Sequence, residues 1–244
     1  MTRHRLDELL VQRGLYSSRS RARDAIARGT VTVDGIVAAK PAQNTNPESR
    51  IEILDEARGY VSRSALKLKS GLGFFNISVK DLNCLDIGAS AGGFTQVLLE
   101  QGTAHVTAID VGHGQFDPSL QSNPKVTSIE GLNARDLTAE HLKHSIDFIV
   151  CDVSFISLKL ALPKALALVE SGAQLLALIK PQFEAGRDAI GRGGLVSDPQ
   201  EHERVCKEIS EFLVAENWKV IGLTSASIEG GDGNKEFLIA AVKS

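Results

Sequence analysis

The stretch LDIGASAGGFT, residues 85–95, constrains this chain more than any other. An apolar run ends at Ile87, Gly88, Gly92 and Gly93 follow, and a helix-like segment opens at once. Glycines in such a turn permit left-handed backbone and close approach of a ligand, and a strand running straight into a helix opens a βαβ unit. On its own the turn could serve NAD, a phosphate, S-adenosylmethionine or nothing but the change of direction.

Apolar runs then alternate with helix-like segments to the last residue. Candidate strands are Cys84–Ile87, Val106–Asp110, Val126–Ile129, Phe148–Cys151, Leu175–Ile179, Val220–Thr224 and Phe237–Val242. Candidate helices include one starting near Ser62, then Gly93–Gln101, Leu158–Glu170 and Pro199–Asn217. This alternation predicts an α/β fold over residues 62–244, with a mostly parallel sheet covered on both faces.

Residues 1–57 read differently. Leu6, Leu9, Leu10 and Val11 carry helical spacing closed by Gly14, and Ser17 or Ser18 caps a second helix through Ala22, Ile26 and Ala27 that ends at Gly29. TVTVDGIV alternates around an Asp34-Gly35 turn, residues 40–49 read as a loop, and Ile51, Ile53 and Leu54 make one more strand. The second helix carries Arg19, Arg21, Arg23 and Arg28, with only Asp24 among them. An arginine run is usually a solvated face, but in a small module with few acids it suits bidentate phosphate contacts. RLDELLVQRG followed by SRSRARDAIARGTVTVDG resembles the αL-type RNA-binding fold named after a small-subunit ribosomal protein. That resemblance implies a small α+β RNA-binding domain over residues 1–57 and a linker over 58–61. RNA contacts are expected from Arg5, Arg19, Arg21, Arg23 and Arg28, joined by Arg63 and Arg187 from beyond the domain.

The formal net charge of −3 excludes a general polycation, so a nucleic-acid surface must be local. Cys84, Cys151 and Cys206 are far apart, odd in number and fit no metal-ligand spacing, which points to a reducing compartment and no metal. The N-terminus lacks the apolar stretch of a secretory signal. The most apolar segment, residues 158–179, is interrupted by Lys159, Pro163, Lys164, Glu170 and Gly172, short of the ~18 apolar residues of a membrane helix. The expected location is the cytoplasm, with no membrane partner.

Two features sharpen the glycine turn. AIDVG places Asp110 one strand–helix unit later, where an acid can accept both ribose hydroxyls of NAD or S-adenosylmethionine. A dinucleotide fingerprint wants glycine where Ser90 stands. Asp86-x-Gly88-x-Ser90-x-Gly92 resembles motif I of S-adenosylmethionine methyltransferases. The resemblance implies a cofactor site formed by Asp86, Gly88, Ala89, Ser90, Gly92, Gly93, Phe94 and Asp110, with Asn133 and Asp136 after the third strand at the adenine. Asp86 could position the amino-acid end of the cofactor or cap the turn, and Asp136 is equally an ordinary turn residue.

Four charges fall at the sensitive points of such a fold: Lys67 on the helix before the first strand, Asp152 after the fourth, Lys180 after the fifth and Glu236 opening the last. A charge closing an apolar strand is more often merely exposed. This ordered Lys-Asp-Lys-Glu set, however, resembles that of the FtsJ-type 2′-O-ribose methyltransferases. With YVSR, CDVSFIS, LIKPQFE, GRGGLVSDP, GNKEF and the N-terminal module, the whole chain resembles the TlyA family. The resemblance implies a Rossmann-like methyltransferase fold ending in an antiparallel hairpin, and transfer to a cytidine 2′-hydroxyl in ribosomal RNA, the large-subunit target alone for so compact a chain. It implies Lys180 as base or orienting donor, held by Asp152 and Glu236, with Lys67 at the ribose or phosphate. The glycine-rich segment 183–194, with Arg187 and Arg192, reads as a mobile loop beside the site. Competing readings are a non-catalytic RNA-binding protein, a membrane-active haemolysin, which no amphipathic or spanning segment supports, and an NAD oxidoreductase, which Ser90 disfavours.

Overall fold

The computed structural model describes residues 4–244, and its contacts divide the chain into two compact units at Gly59/Tyr60. Residues 1–3, with which the N-terminal segment opens, lie outside the described residues.

The small unit runs β1 (His4–Arg5), α1 (Leu6–Gln12), α2 (Arg19–Ala27), β2 (Val31–Val33), β3 (Ile36–Val37), β4 (Asn44–Thr45) and β5 (Ile51–Ile53). Ser18 is the cap of α2, its side chain accepting from the Arg21 N–H. Asp34 and Gly35 both take positive φ, 52° and 83°, as a two-residue turn between right-twisted strands requires. Strand alternation turns Val31, Val33, Ile51 and Ile53 toward Leu6, Leu10, Ala22 and Ile26. Leu54 falls past β5 and is exposed, and the stretch read as a loop contributes β4, antiparallel to β1.

The larger unit runs α3 (Ala65–Phe74), β6 (Asn83–Ile87), α4 (Gly93–Glu100), β7 (His105–Asp110), α5 (Pro118–Gln121), β8 (Val126–Glu130), β9 (Phe148–Cys151), α6 (Leu158–Ala161), α7 (Pro163–Ala167), β10 (Gln174–Ile179), α8 (Pro181–Glu184), α9 (Pro199–Ala215), β11 (Trp218–Ser225) and β12 (Phe237–Lys243). Tyr60 and Val61, expected in the linker, are docked here: the Tyr60 hydroxyl donates to Glu100 at 3.0 Å and the Val61 N–H to Gln96 at 2.9 Å. The helix expected over residues 158–170 is two, because Pro163 has no N–H to continue the first and instead occupies the opening turn of the second.

Strand order is β11-β12-β10-β9-β6-β7-β8, parallel except for β12, which is antiparallel to β10 and β11. The chain winds outward from β6 through β7 and β8, then returns to β9 on the other side. The topological switch point therefore lies between β6 and β9, where a crevice opens at the carboxyl ends of the strands. Period-two alternation sorts the two faces. Leu85, Ile87, Ile149, Ile179 and Ile239 pack with α6, α7 and α9, whereas Cys84, Phe148, Val150, Leu178 and Leu238 pack with α3 and α4.

Candidate functional site

That alternation decides which charged side chains can meet. Asp152 follows Val150 by two residues, Lys180 follows Leu178 and Glu236 precedes Leu238, so all three emerge on the α3/α4 side of the sheet. Lys67 reaches the same place from α3. The four charges assemble as two ion pairs. Lys180 Nζ lies 2.6 Å from Asp152 Oδ1 and donates to Ser154 Oγ at 2.9 Å. Lys67 Nζ lies 2.5 Å from Glu236 Oε2, and both side chains are almost wholly buried. This corrects two expectations. Glu236 holds Lys67 rather than Lys180, and Lys67, expected at the ribose or phosphate, is closed off from solvent by its partner and the α3 layer. Burial pushes the Glu236 carboxyl above the usual range, while the neighbouring Lys67 and Lys180 pull it back.

The glycine loop is shaped by what crowds it. Gly88 takes φ +81°, and a Cβ there would lie 2.5 Å from the Asp152 carbonyl oxygen. Gly92, at φ +95°, faces Leu120 and Phe116, and Gly93 abuts Ser62 and Ser64. Gly92 and Gly93 thus serve the packing of the loop, while Gly88, Ala89, Ser90 and Phe94 line its cavities. For Gly88→Ala we expect a loss of about 3 kcal/mol or more, from left-handed strain plus a clash with backbone that cannot yield. Because the clash falls on Asp152, cofactor affinity should drop at least about tenfold with it. Thermal melting and cofactor calorimetry check both, and an alanine variant that melts and binds like the wild type would refute the crowding.

Asp86 departs from the expected cofactor contact. Its position on β6 turns it to the α4 side, fully buried, where Oδ2 accepts the Thr95 hydroxyl at 2.6 Å and the carboxylate also takes the Thr95 N–H. It therefore anchors the helix behind the loop. Desolvation pushes its carboxyl up to about 7. Asp110, at the end of β7, accepts the N–H groups of Ser90 at 2.8 Å and Gly112 at 2.7 Å while lining the crevice. Asn133 lines it too, its Oδ1 capping the next turn through the Arg135 N–H, whereas Asp136 is exposed on the far side of that turn and does not line it.

The crevice has a volume of about 1100 Å³ and runs from Gly88, Asp110 and Asn133 past Asp152 to Phe155, Gln182, Phe183 and Arg187. A second recess of about 140 Å³ lies between the loop and the Lys180–Asp152 pair. The loop N–H groups of Gly88 and Ala89 both donate to the Ile109 carbonyl, and that of Ser90 to Asp110. None of the three is left to cradle a pyrophosphate, and carboxylates flank the cavity. A cationic, phosphate-free cofactor fits this arrangement; a dinucleotide does not.

Several residues of the site escape sequence reading. Phe155 is 91% exposed at the crevice wall with φ +65°, a strained conformation for an aromatic residue, and its ring meets Phe183 at 5.1 Å. Glu184 accepts from Ser157 Oγ at 2.5 Å and the Leu158 N–H at 2.7 Å, holding the loop that carries Asp152 and Phe155. Segment 183–194, expected to be mobile, is anchored at both ends: Arg204 donates to the Ala185 carbonyl and Asn234 to that of Gly194. An aromatic residue four positions past a strand end was the one signal in the sequence for Phe155.

The arginines of the small unit are more balanced than the sequence suggests, because acids arrive from outside the run. Asp7 and Glu8 bind Arg5 and Arg19, Arg21 donates to the Ala57 and Arg58 carbonyls, and Arg23 is exposed. Arg28 is corrected from an RNA contact to a structural ion pair: it grips buried Asp55 with bonds of 2.8 and 3.0 Å and also holds Asp24. In the larger unit Arg63 is half-buried, and Arg187 is exposed at the crevice.

A parallel sheet reversed at its last strand, a switch-point crevice without an anion cradle and a charge set beside it define an S-adenosylmethionine-dependent methyltransferase. Residues 60–243 match the FtsJ-like methyltransferase family and residues 4–51 the S4 domain. The chain is 41% identical over 238 residues to a Mycobacterium tuberculosis protein named 16S/23S rRNA (cytidine-2′-O)-methyltransferase TlyA, covering 97% of this chain and 89% of that one. It is 33% identical to the Campylobacter jejuni 23S rRNA (cytidine-2′-O)-methyltransferase TlyA, covering 97% and 98%. A solved structure from Streptococcus thermophilus, described as a hemolysin, superposes with a TM-score of 0.79 at 38% identity, over 100% of this chain and 90% of that one. The chain belongs to the TlyA family of FtsJ-like methyltransferases.

Proposed function

We propose that this chain methylates the 2′-oxygen of a cytidine in ribosomal RNA, within a ribosomal subunit in the cytoplasm. The observation that carries the reading is the Lys180–Asp152 pair, fixed by Ser154 beside the cofactor loop and backed by the buried Lys67–Glu236 pair. The relatives named for rRNA cytidine methylation and the S4 domain supply the substrate class. We favour large-subunit RNA, since the chain spans 98% of the relative named for 23S rRNA alone. The haemolysin reading has less behind it: no helix among the described residues is long and apolar enough to cross a membrane.

When bound, S-adenosylmethionine supplies an electrophilic methyl group on sulfur, which the oxygen must approach in line. Asp110, with lone pairs beyond those engaged by Ser90 and Gly112, would hold the ribose hydroxyls of the cofactor, and Gly88, Ser90 and Asn133 would form the walls. Lys180, paired with Asp152 at 2.6 Å, donates to the substrate 2′-oxygen and stabilises the charge that develops as the hydroxyl proton passes to solvent water. Of the two roles the sequence leaves open, the pairing favours the orienting donor. The rim residues Phe155 and Phe183 offer an apolar face to an unstacked base.

Labelled S-adenosylmethionine incubated with purified ribosomal subunits tests the reading. Label in the large-subunit RNA, mapping to one cytidine ribose, is expected. Cofactor binding without label in either subunit would overturn it in favour of a non-catalytic RNA-binding protein.

A further inference from the structure

We propose that Glu184 is a positioning residue for methyl transfer: its carboxylate ties the loop that carries Asp152 and Ser154 to the helix that follows Lys180, and so fixes the direction in which the Lys180 ammonium donates. The inference rests on the reading above, that Lys180 acts on the substrate 2′-oxygen, and adds what holds it there.

The two segments need a tie because the sheet does not supply one. The ladder between β9 and β10 ends at Cys151 and Ala177. Continued in the same register, it would set Ser154 opposite Lys180. Instead β9 stops at Cys151, whereas β10 runs on to Ile179 beside β12. Beyond this fork Lys180 reaches across with its side chain, to Asp152 at 2.6 Å and to Ser154 at 2.9 Å. Asp152 is steadied from the other side, its N–H donating to the Ile87 carbonyl at 2.9 Å. Ser154 has no such backing and runs straight into Phe155, at φ +65°. An aromatic residue keeps a strained conformation of this kind only while its surroundings over-determine it.

Glu184 supplies the second anchor. Its Oε2 accepts the Ser157 hydroxyl at 2.5 Å and its Oε1 the Leu158 N–H at 2.7 Å, so both carboxylate oxygens are used. Ser157 Oγ in turn accepts the Lys159 N–H at 3.1 Å, which leaves its one hydrogen for Glu184. Phe155 thus lies between Ser154, held by Lys180, and Ser157, held by Glu184. Helix α8 is the fixed side of the clamp: Pro181 and Gln182 are buried, and Arg204 of α9 donates to the Ala185 carbonyl at 2.9 Å. Without Glu184, Phe155 relaxes toward negative φ and Ser154 swings away from Lys180. The ammonium keeps its charge but loses its line to the acceptor oxygen, and a misplacement of about 1 Å costs about 10²-fold in rate.

The test is a pair of comparisons by single-turnover methyl transfer to ribosomal subunits, at S-adenosylmethionine concentrations shown by calorimetry to saturate each variant. Glu184→Gln keeps the length of the side chain but turns one acceptor into an amino group that faces a donor. On the wild-type background it should lower the rate about 10–100-fold. On the Lys180→Ala background it removes the guide from a group no longer there, so the double variant should lie within about threefold of Lys180→Ala. A folded Glu184→Gln variant that transfers at the wild-type rate overturns the proposal. So does an equal factor lost on both backgrounds, which is what a purely structural carboxylate would give. Should Glu184→Gln fail to fold, Ser157→Ala, which removes one of the two bonds from the other side, is read on the same two backgrounds and by the same criteria. No transfer by the wild type to either subunit would overturn the underlying reading, and this inference with it.

Discussion

Lys180→Ala is expected to lower the single-turnover rate of methyl transfer by about 10³-fold, while the dissociation constant for S-adenosylmethionine stays within about threefold of the wild type. The asymmetry follows from where the ammonium sits. Lys180 is bound to Asp152 and Ser154 at the recess beside the loop, and it does not line the larger crevice where Asp110 and Asn133 stand. Its removal takes a positive charge from the point where charge develops on the 2′-oxygen, and leaves the cofactor walls untouched. Lys180→Arg separates the two roles open to the residue. A guanidinium stays charged and donates but cannot act as a base. An orienting donor predicts that Lys180→Arg retains a measurable part of the rate, well above Lys180→Ala. A general base predicts that the two variants are equally dead. Parallel loss of cofactor binding and transfer in Lys180→Ala would instead make the residue structural.

The same logic shows why so much of the site was legible in the sequence. Every expected strand of the sheet is present because long apolar runs bounded by turns leave few alternatives, and strand parity then carries Asp152, Lys180 and Glu236 to one face. Parity says which face a side chain leaves by, but not which partner it takes. The sequence order suggested that both acids hold Lys180; the geometry gives Glu236 to Lys67, whose helix covers that face. Asp86 shows the same limit. Its place in the motif was plain, but only the fold reveals that an even position on β6 points it behind the loop at Thr95. Residues that act through long-range polar contacts were invisible. Glu184 reaches back to Ser157, Asp232 to Gln182, and Asp55 to Arg28, and no local periodicity marks such pairs.

Lys67→Met should destabilise the protein by about 3–5 kcal/mol at neutral pH, because it strands Glu236 as an unpaired buried carboxylate. For a chain of this size that is a fall in Tm on the order of 10 °C. The effect carries a pH signature whose sign is fixed by the direction of the Glu236 shift. Burial already holds that carboxyl above its ordinary value, with Lys67 and Lys180 opposing and Asp152 assisting. A group raised on folding contributes stability that is complete below its unfolded pKa and is lost as pH rises through its folded pKa. Taking away Lys67 removes the main opposing charge and raises the folded value further. The variant's deficit should therefore be small near pH 5, where Glu236 can take a proton, and widen toward pH 8. Lys67→Met combined with Glu236→Leu should regain most of the lost Tm, since removing both members of a buried pair leaves no stranded charge. It should nevertheless transfer no methyl group, because Lys180 and Asp152 would lose the charged pair that borders them. A deficit equal at pH 5 and pH 8, or a double variant no more stable than the single one, would mean that the Lys67 stem holds the fold by packing.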